Sequence, residues 1–145
     1  MVKIDELDLS IIKLLEDNGR KPNNEIAEIL HVSEGTIRNR IRKMVENGIL
    51  KTKGLINPDN LGDKQLIYIL VTLEVTKNWK EIAAKVADLP NVKSVSMITG
   101  RFDLIIELFI EPRNLINFLT NDLASVGNIS STESLVTIKN FNKWV

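Results

Sequence analysis

Cysteine is absent from this chain, which removes disulfide frameworks, thiolate zinc sites and cysteine nucleophiles together. Histidine occurs once, at His31, where a structural place in a turn is expected rather than a metal site. Neither sign of charge dominates: 19 Lys and Arg balance 19 Asp and Glu, so overall charge does not advertise nucleic acid. No apolar run approaches the length of a bilayer span, Ile67–Leu73 being far too short. The opening MVKIDELDLS is acidic and amphipathic, unlike a charged leader with an apolar core, so no signal peptide is expected. The expectation is a cytoplasmic protein with no membrane partner, no catalytic set and no cofactor.

What is present is the composition of an ordinary globular chain of 145 residues, enough for one domain or two small ones. Two small domains would each have a thin core and would draw stability from an oligomer interface. Charge is informative only locally. Arg38, Arg40, Arg42 and Lys43 fall in one segment with no acid between Glu34 and Glu46. Such a stripe is either a phosphate-binding surface or a solvated helix face.

Its context separates the two. Ile4–Asp17 carries Leu7, Ile11, Leu14 and Leu15 at helical spacing, with Asp5 as N-cap, and Gly19 and Pro22 end that helix. A short helix from about Asn24 to Leu30 buries Ile26, Ala27 and Leu30. His31-Val32-Ser33 is a tight turn whose Ser33 caps a third helix, Glu34 to Asn47, with Ile37, Ile41, Met44 and Val45 on one stripe. Gly48 closes it, and Ile49–Leu55 reads as an extended strand. Three short helices with a brief turn before the third form a helix-turn-helix. With Ile37, Ile41 and Val45 inward, Gly35, Asn39, Arg42 and Glu46 point away, flanked by Thr36, Arg38 and Lys43. Asn39 suits a bidentate contact to adenine and Arg38 one to guanine, while Ser33 and the helix N-terminus suit a phosphate. Double-stranded DNA is the expected partner, met by Ser33, Gly35, Thr36, Arg38, Asn39, Arg42 and Lys43. Arg40 lies nearer the buried stripe, and two readings stand for it: a DNA contact, or a brace through Glu28 or another acid.

Residues 51–64 hold Gly54, Asn57-Pro58-Asp59-Asn60 and Gly62, a cluster of turn formers that marks a boundary. The expected organisation is a DNA-binding domain over 1–50, a linker over 51–64 and a second domain over 65–145. That second domain reads as strand (Leu66–Val75), helix (Asn78–Leu89), strand (Val92–Thr99), strand (Phe102–Ile110), helix (Arg113–Val126) and a last strand through Leu135–Asn140. The order β-α-β-β-α-β is the ferredoxin-like arrangement, and the whole chain is thus α+β. Leu70, Ile98, Ile105 and Phe109, beside Tyr68, are placed on the sheet face that the helices leave open. An apolar open face predicts a second copy of the chain as partner.

Nearly the whole chain resembles the Lrp/AsnC family of leucine- and asparagine-responsive, or feast/famine, regulators. The likeness rests on Ile4-Asp5 with Asp8, Ile12 and Leu15, then Glu25-Ile26-Ala27, Val32-Ser33, Thr36-Ile37 and Arg40-Ile41. It continues through Gly48-Ile49-Leu50, Ile56-Asn57-Pro58 and Leu61-Gly62 to Thr99-Gly100-Arg101-Phe102-Asp103, similar to the family's Gly-x-x-Asp hairpin, with Phe102 where Tyr is more usual. The resemblance implies a winged helix-turn-helix joined to a ferredoxin-like domain, homodimers that build into octameric discs, and amino-acid effectors bound between dimers. Carried onto this chain, the effector pocket uses Thr99, Gly100, Arg101, Phe102 and Asp103 with Ser131, Thr132, Glu133 and Ser134. Asp103 or Glu133 would take the ammonium, and backbone N–H groups near Gly100 or Ser134 the carboxylate. Against this stand a plain hairpin turn and a plain polar loop. Two rival functions also stand: a DNA-architectural protein without effector control, and a sirohaem-decarboxylase-like enzyme, for which the C-terminal half lacks a His or Tyr acid–base set.

Overall fold

Asp5 and Asp8 start the first helix by capping each other: each side chain accepts from the other's backbone N–H, at 3.0 and 3.2 Å. The computed structural model describes residues 3–145, which divide into two units, one ending at Gly54 and one beginning at Leu55.

The first unit holds α1 (Glu6–Asp17), α2 (Asn23–Leu30) and α3 (Glu34–Glu46) around Ile11, Ile26, Ala27, Ile37 and Met44. His31 ends α2 in the left-handed region at φ 55°, and Val32 N–H reaches back to Ala27 O at 3.0 Å. Gly48, at φ 67°, does the same for α3: Ile49 N–H bonds Met44 O at 2.8 Å, and Gly48 N–H bonds Val45 O at 3.0 Å. The third helix and its Schellman ending differ from two expectations. The inward stripe of α3 is Ile37, Ile41 and Met44, while Val45 is 49 % exposed. Residues 49–55 form no paired strand, because the first N–H groups after α3 fold back onto the helix end instead of joining a ladder.

The second unit is an antiparallel sheet in the order β2-β3-β1-β4, from β1 (Gln65–Leu73), β2 (Val92–Met97), β3 (Leu104–Ile110) and β4 (Ile129–Val136), with α4 (Trp79–Ala87) and a second helical segment crossing one face. Alternate residues Ile67, Ile69, Val71 and Leu73 of β1 and Leu104, Ile106, Leu108 and Ile110 of β3 meet Ile82, Val86, Phe118 and Leu123 in one core.

The second helical segment, expected as one α-helix, changes form along its length. It passes from 3₁₀ (Pro112–Asn114) through α (Leu115–Asn117) and π (Phe118–Leu123) to 3₁₀ again (Ala124–Val126). Phe118 and Leu123, five residues apart, are both buried; an i→i+5 repeat stacks them, whereas α spacing would turn them apart.

The last strand also differs. It runs over Ile129–Val136, not Leu135–Asn140, so Ser131-Thr132-Glu133-Ser134 is strand and not loop. Backbone groups make this ladder with β1, from Ile67↔Val136 to Thr72↔Ser131, and an exposed edge strand needs no apolar alternation to do so. The open sheet face is partly closed by the chain itself. Leu66 and Phe109 are buried with Val145, and Ile56 and Val145 exchange two backbone hydrogen bonds of 3.0 Å. Lys143 Nζ donates to Glu107 at 2.7 Å. Leu70, Ile98 and Ile105 stay half-buried on that face.

Candidate nucleic-acid interface and ligand-binding face

Ser33 builds the N-terminus of α3: its Oγ accepts from Thr36 N–H at 3.1 Å and lies 2.8 Å from the Thr36 hydroxyl. That leaves Thr36 half-buried and Ser33 exposed. Gly35, Arg38, Asn39, Arg42 and Lys43 are all exposed along one side of the helix, as the corrected stripe requires. A Cβ added to Gly35 would meet nothing nearer than Ser33 Oγ at 3.9 Å, so the fold of this chain does not require glycine there.

The cations are not equivalent. Arg38 is paired with Glu34 one turn earlier, and Arg42 lies 3.3 Å from Asn39 Oδ1 and 3.9 Å from Glu46. Lys43 has no ion-pair partner among the described residues. Arg40 is the brace: its Nη1 reaches Asp5 at 2.5 Å and Asp8 at 3.2 Å, Asp8 being almost wholly buried. The Asp8 backbone N–H, and then Arg40, hold the Asp5 carboxyl below its usual range, while Asp5 raises the Arg40 guanidinium in turn. The acids are Asp5 and Asp8, not Glu28. The i, i+4 pairs Glu34–Arg38 and Arg42–Glu46 were visible as spacings in the sequence, whereas a partner 32 or 35 residues away was not.

In the second unit, Gly100 turns the chain between β2 and β3 at φ 119°, and the Arg101 guanidinium sits 5.2 Å from the centre of the Phe102 ring. Asp103 is bound into the sheet. Its N–H donates to Val71 O at 2.8 Å, its carbonyl accepts from Ile98 N–H at 3.0 Å, and its Oδ2 accepts from Leu73 N–H at 2.8 Å. Leu73 lies beyond the last β1–β3 pair, so the carboxylate substitutes for a missing ladder acceptor. Ser131 stands opposite Thr72 and Glu133 opposite Leu70, on the open face, while Thr132 and Ser134 stand opposite Val71 and Ile69, on the helix face. The polar run is therefore split between two faces, which a loop would not have done. Asp103 and Ser131 flank the same end of β1, two strand spacings or roughly 10 Å apart. Thr132 lines a crevice of about 360 Å³ with Glu74, Leu119 and Leu123 on the helix side.

Residues 4–51 match a family model described as winged helix-turn-helix DNA-binding, and residues 66–143 match the Lrp/AsnC ligand binding domain. The chain belongs to the Lrp/AsnC family. This Lrp/AsnC protein is 32 % identical over 139 residues to the HTH-type transcriptional regulator FL11 of Pyrococcus horikoshii, covering 95 % of this chain and 91 % of the relative. Its fold superposes on Escherichia coli AsnC with a TM-score of 0.71 at 30 % identity, over 96 % of this chain and 95 % of the other. A transcriptional regulator of Neisseria meningitidis, solved as its L-Met complex, matches with a TM-score of 0.74 at 25 % identity, over 97 % and 94 % of the two chains. The Lrp/AsnC protein is thus a DNA-binding transcriptional regulator carrying a ligand-binding domain, and α3 belongs to its helix-turn-helix. No helix among the described residues is long and apolar enough to cross a membrane.

Proposed function

We propose that this regulator binds operator DNA in the cytoplasm as a homodimer, and that an amino acid held at the C-terminal end of β1 biases its further assembly, up to an octamer. In this reading Gly35, Arg38, Asn39 and Arg42 face base edges, and Ser33, Thr36 and Lys43 hold phosphates. Two copies pair through the sheet face that carries Leu70, Ile98 and Ile105, which the chain's own end leaves uncovered.

The observation that carries the effector reading is the convergence of two polar segments on one strand end. Thr99–Asp103 lies on one side of β1 and Ser131–Ser134 on the other, in the domain type for which a relative is solved with L-Met. An amino acid needs an acceptor for its ammonium close to donors for its carboxylate. Asp103 Oδ1 and Glu133 supply acceptors; the Ser131 hydroxyl and the N–H groups of the Gly100 turn supply donors. Phe102 and the Arg101 guanidinium stacked near it offer a surface for the ligand's side chain.

A thermal-shift screen of the twenty amino acids tests the effector, because a ligand that binds only the native state raises its melting temperature. One or a few amino acids are expected to shift it. A screen with no hit, combined with sequence-indifferent DNA binding, would transfer the reading to an architectural protein.

A further inference from the structure

Glu34 opens α3, and its Oε1 accepts from Arg38 Nη2. Both side chains remain open to solvent, Glu34 at 47 % and Arg38 at 67 %. Nη1, Nε and the second N–H of Nη2 of Arg38, and Oε2 of Glu34, make no hydrogen bond among the described residues, which leaves the Nη1–Nη2 fork available. The pair therefore presents a row: guanidinium donors, then a carboxylate acceptor. Gly35 lies beside it with no side chain to hold the helix away from a groove.

A row of donors followed by an acceptor complements one base-pair edge and opposes another. Across the major groove a G·C pair shows the N7 and O6 acceptors of guanine and then the N4 amino donor of its cytosine. An A·T pair shows acceptor, donor, acceptor, which sets the adenine amino group against the guanidinium and the thymine O4 against the carboxylate.

The geometry points to Glu34 and Arg38 acting as a single reader of one G·C pair, with Arg38 on guanine N7 and O6 and Glu34 Oε2 on the cytosine N4 amino group. Glu34 is then a specificity residue in two ways. It accepts from cytosine, and it repels thymine O4, so wrong pairs are rejected as well as the right one held. The inference rests on the reading of α3 as the recognition helix. The bland alternative is that Glu34 only complements the helix N-terminus and its i+4 arginine. That alternative alters helix stability on substitution and leaves base preference alone.

The experiment selects duplexes from a random pool with the full chain, then measures binding of variants to the selected duplex and to versions with each base pair exchanged. Arg38→Ala identifies the pair that it reads, by loss of preference there. At that pair Glu34→Gln should lose roughly tenfold of the preference for G·C over A·T, and should bind unrelated duplexes more tightly because one anion near the phosphates is gone. Glu34→Asp, too short to hold Arg38, should lose the preference without that gain. Inosine in place of guanine keeps N7 and O6 and should bind as before; 7-deazaguanine, lacking N7, should bind more weakly. If Arg38→Ala abolishes a G·C preference that both Glu34 variants keep, Glu34 takes no part and the inference is overturned while the recognition helix stands. If neither Arg38→Ala nor Asn39→Ala changes preference at any pair, the recognition-helix reading fails and the inference fails with it.

Discussion

Arg40 of α3 clasps Asp8 of α1 across 32 residues of chain, with its Nη1 at 3.3 and 3.2 Å from the two carboxylate oxygens. Asp8 is only 5 % exposed and also caps its own helix, so the contact joins helix initiation to the seating of α3. Asp8→Asn removes the charge while keeping the shape. It should lower the stability of the first unit by about 1–2 kcal/mol, the worth of a charge-assisted hydrogen bond in a buried site. Chemical denaturation followed by circular dichroism measures this; unchanged stability would make the clasp ornamental.

Gly35 offers a test in which stability and function move in opposite directions. An exposed helical glycine whose added Cβ would meet only Ser33 Oγ, in ordinary contact at 3.9 Å, loses about 0.5–1 kcal/mol relative to alanine. Gly35→Ala should therefore raise the melting temperature, yet weaken binding to the selected duplex, since the methyl group would stand between α3 and the groove. A variant both more stable and equally tight on DNA would remove Gly35 from the interface.

Asp103 has one oxygen committed to Leu73 N–H, so its tie to the sheet and its charge can be tested apart. Asp103→Asn can retain the acceptor for Leu73 but not the charge. It should fold normally, bind DNA without ligand as the wild type does, and lose calorimetric affinity for the amino acid that the screen finds. Retained affinity would leave Asp103 as a sheet tie alone.

Ile105 sits half-buried on the sheet face, opposite Leu70 in β1. In a single chain Ile105→Asp keeps its carboxylate near water, but pairing of two such faces would bury it at a cost of several kcal/mol. Sedimentation should show the wild type as a dimer or larger and the variant as a folded monomer. A variant that dimerises normally would place the contact elsewhere.

Two clasps of the second unit contribute to opposite edges of the pH–stability profile, alongside the lowered Asp5 of the first. Hydrogen bonds from Asn140 and Lys139 push the Asp59 carboxyl down to about 2, from an ordinary 3.8. A lowered acid stabilises the fold fully above its unfolded value, and that contribution fades as pH falls from about 4 towards 2. Lys143 is raised above its ordinary 10.5 by its hydrogen bond to Glu107, so its contribution is complete below 10.5 and is lost as pH rises through the higher folded value. Melting temperatures across pH should show Asp59→Asn flattening the acid limb and Lys143→Met the alkaline limb, each sparing the other.

Local rules governed what the sequence determined alone. Helical spacing of apolar residues placed α1, α2 and α3; Asp5 and Ser33 announced their caps; the glycine and proline punctuation announced the turns. The order of strands and helices in the second unit was legible for the same reason, each element signalling over a few residues. Tertiary structure decided what depends on distant partners. Whether Arg40 served DNA or the fold turned on Asp5 and Asp8, more than thirty residues away in the chain. Ser131–Ser134 became a strand because β1 offered it a ladder, and backbone hydrogen bonds do not consult side-chain polarity. Phe118 and Leu123 drew the helix between them into a π repeat because the core required both on one side. Phe109 vanished from the open face because Val145 returned to cover it. In each case a long-range contact, whose energy no local window contains, overrode the short-range preference.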